Sequence, residues 1–472
     1  MKMFMGGKPV DRPETIDVIN PFDGSVVDTV PKGSADDIKE AIGIAVKGYE
    51  ISRKMPAHQR IAILYKASTI MEERQEELAR IIAQEGSKTI NEARGEARRA
   101  IITIRVSAEE ARRIDGESIP FDSSPGAENK VGYYYRFPIG VIGCITPFND
   151  PLNLVAHKLG PAIAGGNSVV LKPATVTPLS ALLLSEILLE AGLPGECLSV
   201  ITGYGGEIGE ALVTDPRVRM ISFTGGVEAG EIIASKVGMK KVGMELGSNA
   251  PVIVMNDCDL PDAVESCVSG AFWAVGQNCI GVQRIFVHND VYDQFRDDFV
   301  ARTKKYKVGY QLDEDTDMGP MIEEREAERV IDWVKDATDK GATLLTGGTR
   351  EGTLVQPTVL ENMPADAILH KSEVFGPTVT LYRIDDLETA IEMANDTEYG
   401  LHGAIFTNDV NNSFRAIRGL DVGSVMVNES TDFRIDQMPF GGVKKSGLGR
   451  EGIKFALQEM TEPKVVCFNL KP

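Results

Sequence analysis

The sequence of 472 residues is poor in cysteine and histidine, and neither residue is spaced like a set of metal ligands. No Cys-X-X-Cys pair occurs, and the five histidines are scattered along the chain. The pattern therefore excludes a disulfide framework and predicts no metal site. We expect the six thiols to be reduced. The cysteines are Cys144, Cys197, Cys258, Cys267, Cys279 and Cys467.

Positive charge and long apolar runs are also scarce. Fifty Lys and Arg face 69 Asp and Glu, which gives a formal charge of −19 and a pI near 4.9. Such a surface disfavours broad contact with nucleic acid or an anionic membrane, because both contacts need basic residues. No apolar run reaches about 18 residues, and residues 1–10 lack the apolar core of a secretory signal. We expect a cytoplasmic enzyme without nucleic-acid or membrane partners.

Helical and strand-like patterns alternate along most of the chain. Apolar residues recur at helical spacing in 59–71, and a charged helix is predicted over 91–113. Short β-branched runs follow at 141–146, 168–171, 198–202 and 220–223, separated by about a dozen helix-like residues. This alternation is typical of βαβ units around a parallel sheet, and a second such region begins near Ala250.

Two segments suggest a nucleotide site. Lys172 ends a predicted strand, where ligands of parallel sheets usually bind and where an ammonium can contact ribose hydroxyls. Small residues in 223–230, Phe-Thr-Gly-Gly-Val-Glu-Ala-Gly, lie between a strand and a helix start, where free N–H groups favour a pyrophosphate. Alternatively, Lys172 is merely solvated, and a lone glycine-rich turn is weak evidence.

A nucleophile and a base stand in two further segments. Cys279 lies in Gly-Gln-Asn-Cys-Ile-Gly-Val-Gln-Arg (276–284), and Glu245 in Met-Glu-Leu-Gly-Ser-Asn (244–249). A thiolate can attack an aldehyde and retain the product as a thioester, and a glutamate with a raised pKa can activate the water that hydrolyses it. The alternatives are an inert buried cysteine and a salt-bridged surface acid.

These segments resemble the NAD(P)-dependent aldehyde dehydrogenase superfamily, and the resemblance extends from Phe137 to Gly452. It implies that Cys279 is the nucleophile, that Glu245 is the general base, and that the Asn149 amide stabilises the oxyanion. A glutamate at 245 distinguishes hydrolytic members from coenzyme-A-acylating ones. A non-catalytic relative would have no reason to hold all three residues. The family's Pro-Phe-Gly-Gly-X-Lys-X-Ser-Gly signature is matched at 439–447.

The resemblance also implies the cofactor contacts. Glu373 would hold the nicotinamide ribose, with Phe375 packed nearby. One departure is Gly226, where many members have a serine, so only backbone donors remain for the pyrophosphate. The implied cofactor residues are Pro147, Phe148, Lys172, Thr175, Thr224, Gly225, Gly226, Gly230, Glu373 and Phe375.

Thr175 bears on the choice between NADP and NAD. NAD-specific sites commonly hold the adenosine 2′-hydroxyl with a carboxylate, which would repel the 2′-phosphate of NADP. Thr175 is neutral, so NADP is favoured over NAD and dual use is compatible with the sequence. Alternatively, Thr175 only packs in its loop and discriminates little.

The candidate substrate contacts are two arginines, an aromatic residue, an acid and an amide. Arg434 and Phe433 lie in the variable loop before the signature, and the guanidinium could bind an anion bidentately. Arg105 is a second candidate, on the predicted helix across the tunnel. Asp150 in the pocket favours hydroxyl groups over phosphate, and Asn278 replaces the arginine that precedes the cysteine of phosphate-reading relatives.

The pattern most resembles the branch of lactaldehyde, phosphonoacetaldehyde and non-phosphorylating glyceraldehyde-3-phosphate dehydrogenases. We therefore expect a small hydroxyaldehyde such as lactaldehyde to be the substrate. The alternative is an anionic aldehyde such as succinic semialdehyde, glyceraldehyde-3-phosphate or phosphonoacetaldehyde.

The expected fold class is α/β, with a Rossmann-like cofactor domain, an α/β catalytic domain and a small β arm that bridges subunits. The cofactor domain would span 1–246, with 116–136 in the arm, and the catalytic domain 247–425. Residues 426–454 would return to the cofactor domain and line the substrate tunnel, and 455–472 would complete the arm. The arm implies a homodimer or homotetramer.

Overall fold

The computed structural model describes residues 1–471. Helices and strands alternate through most of this range. The helices are α1 Ala35–Ser52, α2 Ala57–Glu73, α3 Gln75–Glu85, α4 Ile90–Glu110, α5 Asn153–Ala164, α6 Leu179–Glu190, α7 Gly205–Thr214, α8 Val227–Lys236, α9 Leu260–Phe272, α10 Asn289–Thr303, α11 Glu324–Asp339, α12 Ile368–Lys371, α13 Leu387–Asn395, α14 Val410–Gly419 and α15 Ile453–Glu459.

The strands form two large sheets, a three-stranded sheet and two small hairpins. They are β1 Met3–Met5, β2 Lys8–Val10, β3 Thr15–Ile19, β4 Val26–Pro31, β5 Glu117–Ile119, β6 Lys130–Pro138, β7 Val141–Ile145, β8 Ser168–Lys172, β9 Leu198–Val200, β10 Val218–Thr224, β11 Lys241–Glu245, β12 Ala250–Val254, β13 Val282–His288, β14 Thr343–Thr346, β15 Arg350–Glu351, β16 Leu354–Val355, β17 Thr358–Glu361, β18 Thr378–Ile384, β19 His402–Phe406, β20 Ser424–Val427, β21 Gly447–Leu448 and β22 Thr461–Asn469.

The first large sheet has the order β2-β1-β9-β8-β7-β10-β11-β21, and β7 to β11 pair in parallel. All five residues of β8 are buried, as expected for a strand covered by helices on both faces. The apolar core of this region extends from the sheet into α2, α4, α5 and α6. The predicted α/β fold is therefore confirmed.

The second large sheet has the order β14-β17-β18-β13-β12-β19-β20 and is parallel except for β14. Its central strands β12 and β19 are fully buried. The proposed domain boundary lies between β11, the last parallel strand of the first sheet, and β12. Strand β11 ends at Glu245, and β12 begins at Ala250. Glu245 lies at this boundary, at the end of β11, and Cys279 lies in the loop before β13.

The three-stranded sheet has the order β22-β6-β5. β6 and β22 pair over nine residues, from Thr461 opposite Pro138 to Asn469 opposite Lys130. Several of its apolar side chains are exposed: Val131, Tyr133, Tyr135, Val465 and Phe468. Among the described residues no helix is long and apolar enough to cross a membrane, and no group of three or more His, Cys, Asp or Glu is placed to hold a metal ion.

Candidate active site

Cys279 opens onto a cavity of about 690 Å³ between the two large sheets. Asn149, at the carboxyl end of β7, and Arg434, in the loop after β20, contribute to the same wall. Arg99 contributes from α4. The predicted nucleophile, oxyanion amide and loop arginine are thus brought together by segments distant in sequence.

The backbone before Cys279 is left-handed. Ala274, Val275 and Gly276 have φ of 51°, 62° and 66°. The cysteine that follows this turn is half-buried, and burial raises the pKa of its thiol to about 12. The positive charge of Arg434 acts in the opposite direction and lowers that pKa.

Glu245 ends β11 and is almost fully buried. Burial is the main cause that raises its pKa well above the usual range, and the negative charge of Glu451 adds to it. Within residues 1–471, its Oε2 atom has no hydrogen-bond partner. Glu451 itself is held by Lys158 at 3.0 Å, and this cation lowers the pKa of Glu451. When ionised, a carboxyl group whose pKa is raised in this way is a stronger base than an ordinary glutamate.

Asp150 does not offer a free carboxylate to the substrate. Its side chain hydrogen-bonds the ammonium of Lys88, which is buried and also contacts Glu96 at 2.7 Å. Arg99 approaches Asp150 to 3.9 Å. The expectation that Asp150 favours hydroxyl groups over anions is corrected, because Lys88 and Arg99 compensate its charge.

Arg434 is almost fully buried, and its guanidinium carbon lies 3.6 Å from the ring centroid of Phe440. The guanidinium is 3.5 Å from Glu451 and 3.4 Å from the ring of His157. Its Nε finds no partner in the described part of the chain. Because Arg434 lines the cavity, its guanidinium can offer a positive charge to an anionic group there.

Arg99 was missed by the sequence analysis. Its Nη2 is 3.1 Å from Asp436, whereas its buried Nε has no partner among residues 1–471. Glu92, Glu96 and Arg99 all line the cavity. Their spacing of four and three residues places them on one helix face, which is the signal that could have identified Arg99.

Arg105 does not reach the cavity, so that expectation is also corrected. It follows Arg99 by six residues, about 240° further around the helix. Its side chain pairs instead with Glu72 of α2 at 2.7 Å. Phe433 and Asn278 do line the cavity, and Asn278 also accepts a hydrogen bond from the Ile280 amide at 3.2 Å.

The predicted nucleotide-binding residues lie at the carboxyl ends of β8 and β10. Lys172 is buried, and burial lowers its pKa to about 8; its ammonium donates to the Pro173 carbonyl at 2.8 Å. Gly226 begins α8 without a side-chain cap, and a Cβ there would meet no atom of the described chain within 4 Å. Gly230, in contrast, has no room for a side chain, because a Cβ there would lie 2.7 Å from Leu246. The start of α8 therefore combines uncapped N–H groups with open space at Gly226, which suits a pyrophosphate.

Thr224 and Thr175 are two further candidates for contact with the cofactor. The Thr224 hydroxyl is buried and has no partner within residues 1–471. Thr175 donates its hydroxyl to the Gly203 carbonyl at 3.0 Å. This bond engages the hydroxyl proton of Thr175, so what would favour NADP at this position is the absence of a carboxylate.

Glu373 lies close enough to Cys279 for its negative charge to raise the pKa of the thiol. Its Oε1 accepts the Ser248 N–H at 2.8 Å, and burial raises its pKa to about 7. A Cβ on Gly247 would come within 2.1 Å of Glu373 Oε2, so only glycine leaves the carboxylate in place. The rings of Phe148, which follows Pro147, and Phe375 meet edge to face at 5.7 Å.

Known proteins resemble the chain over its whole length. The profile of the aldehyde dehydrogenase family matches residues 9–466. Aspartate-semialdehyde dehydrogenase 1 of Pseudomonas canavaninivorans is 50% identical, over 96% of this chain and 97% of that protein. Lactaldehyde dehydrogenase of Methanocaldococcus jannaschii is 43% identical, over 99% of this chain and 100% of that protein.

Two crystal structures superpose closely. Aldehyde dehydrogenase 21 of Physcomitrella patens, in complex with the reaction product succinate, has a TM-score of 0.97 and 42% identity, covering 99% of this chain and 98% of that chain. A glyceraldehyde-3-phosphate dehydrogenase of Methanocaldococcus jannaschii, complexed with NADP, has a TM-score of 0.94 and 42% identity, covering 98% and 100%.

Proposed function

The chain belongs to the aldehyde dehydrogenase family, and on that premise we propose that it oxidises a small anionic aldehyde to a carboxylate through Cys279. The family resemblance of the sequence motifs is confirmed, and NAD(P) is the cofactor of this oxidoreductase family. The observation that carries the substrate class is the pair Arg99 and Arg434 in the wall of the Cys279 cavity.

In the proposed reaction, the sulfur of Cys279 bonds to the carbonyl carbon of the aldehyde, and the carbonyl oxygen becomes an alkoxide. The Asn149 amide donates a hydrogen bond to this oxygen. Losing one such donor typically costs about 100- to 1000-fold in rate. Because burial keeps the Cys279 thiol protonated at neutral pH, the attack requires transfer of its proton to a base.

The dinucleotide, when bound, supplies the acceptor for the hydride that leaves the former aldehyde carbon. The acyl group then remains on Cys279 as a thioester. Glu245 removes a proton from the water that attacks this thioester, and the C–S bond breaks to release the carboxylate and the thiol. The buried, partner-free Oε2 of Glu245 supports this role.

An anionic substrate is supported by the two arginines of the cavity lining and not by its overall charge, because six acids line the cavity as well. Asp150 is compensated by Lys88, whereas Arg99 and Arg434 each keep an unpaired Nε among the described residues. Similar proteins act on aspartate semialdehyde or hold succinate. A neutral hydroxyaldehyde is the second candidate, because the chain is also 43% identical to a lactaldehyde dehydrogenase.

NADP is the proposed preferred cofactor, with NAD as the alternative. The support is Thr175, a neutral residue beside Lys172, together with the NADP complex of a similar glyceraldehyde-3-phosphate dehydrogenase. The residues at the carboxyl ends of β8 and β10, together with Glu373, suit a dinucleotide: Lys172 for ribose hydroxyls, the N–H groups from Gly225 onward for the pyrophosphate, and Glu373 for the second ribose.

The sheet of β5, β6 and β22 is proposed to pair subunits in a dimer or tetramer. Its support is the exposed apolar row of Val131, Tyr133, Tyr135 and Phe468 on one face, since such patches commonly mark interfaces. Sedimentation analysis of the wild-type enzyme tests the assembly, and a monomer would contradict it.

The substrate proposal is tested by initial rates with succinic semialdehyde, aspartate semialdehyde, glyceraldehyde-3-phosphate and lactaldehyde, each with NADP and with NAD. We expect an anionic aldehyde with NADP to have the highest kcat/KM. A higher value for lactaldehyde than for all anionic aldehydes would favour the second candidate.

A further inference from the structure

The turn that precedes Cys279 has a conformation that its residues disfavour. Ala274, Val275 and Gly276 all have positive φ, yet only Gly276 lacks a Cβ. A left-handed conformation is unfavourable for an L-residue, and for a β-branched residue such as Val275 it is an outlier. Strained backbone of this kind persists only when its surroundings hold it.

The Glu92 carboxylate holds one end of this turn. Its Oε1 accepts the Ala274 N–H at 2.8 Å, and its Oε2 accepts the Thr89 N–H at 2.8 Å. The second bond is half of the capping box that starts α4, in which the Thr89 hydroxyl accepts the Glu92 N–H. One side chain therefore joins the first turn of α4 to the turn before Cys279.

The other end of the turn is held by close packing. Gly276 lies against the backbone of Gly376, where a Cβ would come within 2.3 Å of the carbonyl oxygen. The Gln277 side chain accepts the Ile322 N–H at 3.1 Å. Glu92 is thus the one carboxylate, among residues 1–471, that is hydrogen-bonded to the strained residues themselves.

The start of α4 also contacts the side of the cavity that carries Asn149. Lys88, which precedes α4, hydrogen-bonds Asp150, the neighbour of Asn149. The same ammonium lies 4.5 Å from the ring centroid of Trp273, the neighbour of Ala274. Lys88 therefore contacts both Trp273, beside the turn that precedes Cys279, and Asp150, beside the proposed oxyanion donor Asn149.

We propose that Glu92 is a positioning residue for Cys279, whose carboxylate keeps the turn Ala274–Gly276 in the left-handed conformation that aligns the thiol with Asn149. Glu92 need not touch the reacting atoms. The inference rests on the proposed role of Cys279 as the nucleophile. A displacement of about 1 Å in such an alignment can cost on the order of 100-fold in rate.

The test compares Glu92→Ala with Thr89→Ala in the full-length enzyme. Both variants lose one half of the capping box, but only Glu92→Ala frees the Ala274 N–H. We expect Glu92→Ala to lower kcat about 10- to 100-fold with little change in KM, and to slow alkylation of Cys279 by iodoacetamide. Thr89→Ala should keep kcat within about twofold. Equal kcat in the two variants would overturn the proposal.

A second substitution tests the strain directly. Glycine adopts positive φ without cost, so Ala274→Gly should restore at least part of kcat in the Glu92→Ala background. In the wild-type background it should change kcat little. If the single Glu92→Ala variant does not fold, recovery of a folded, active enzyme in the double variant supports the proposal. If neither folds, Glu92 is only a stability residue and the proposal is refuted.

A further variant, Cys279→Ser, separates the role of Glu92 from the proposed function. Aldehyde oxidation that survives in Cys279→Ser would refute the proposed function whatever Glu92 does. An inactive Cys279→Ser beside a fully active Glu92→Ala would refute only the positioning role.

Discussion

Replacing Arg434 with methionine should remove the enzyme's preference for anionic over neutral aldehydes. Methionine keeps much of the side-chain volume against Phe440 but removes the guanidinium, whose Nε has no partner within the described chain. Truncating one partner of a buried charge pair costs roughly 2–4 kcal/mol, which corresponds to about 30- to 900-fold in kcat/KM for an anionic substrate.

A neutral aldehyde of similar size should lose much less. Some loss is expected for every substrate, because Arg434 also lowers the pKa of the Cys279 thiol. The quantity to measure is therefore the ratio of kcat/KM for succinic semialdehyde to that for lactaldehyde, in wild type and in Arg434→Met.

Arg105→Met is the matched control. It removes a guanidinium that pairs with Glu72 outside the cavity, so the ratio should stay at its wild-type value. A ratio that is unchanged in Arg434→Met as well would refute the anion contact and favour a neutral hydroxyaldehyde.

Three further predictions concern the cofactor and the thiol. Thr175→Glu should raise KM for NADP far more than for NAD in steady-state assays, because its carboxylate would repel the 2′-phosphate; equal effects would show that residue 175 does not face the adenosine ribose. Gly247→Ala should displace the Glu373 carboxylate and raise cofactor KM about tenfold or more, the loss of roughly one charge-assisted hydrogen bond; an unchanged KM would separate Glu373 from cofactor binding. Since burial raises the pKa of Cys279 to about 12, alkylation of the cofactor-free enzyme should accelerate about tenfold per pH unit between pH 7 and 9, and a plateau near pH 8 would contradict the buried thiol.

The fold and the approximate positions of its elements follow from periodicity. The runs 141–146, 168–171 and 220–223 correspond to β7, β8 and β10, and the helix predicted over 91–113 corresponds to α4 and the 3₁₀ turn after it. These patterns are local, and a buried parallel sheet demands continuous apolar runs.

The charges of the cavity could not be predicted in the same way, because they depend on pairs distant in sequence. Asp150 reads as a free acid until the fold brings Lys88, 62 positions earlier, against it. Arg105 and Arg99 lie on the same helix, and only the packing of α4 decides which one faces Cys279. Likewise, the Thr175 hydroxyl is engaged by Gly203, a contact that spans 28 positions.

The central claim, a thioester on Cys279 that Glu245 helps to hydrolyse, is tested most directly by rapid mixing of Glu245→Gln with aldehyde and cofactor. Glutamine cannot accept the proton from water, whereas acylation and hydride transfer precede that step. The account predicts a burst of reduced cofactor of about one per active site, followed by almost no turnover. Undiminished steady-state turnover in Glu245→Gln would contradict it.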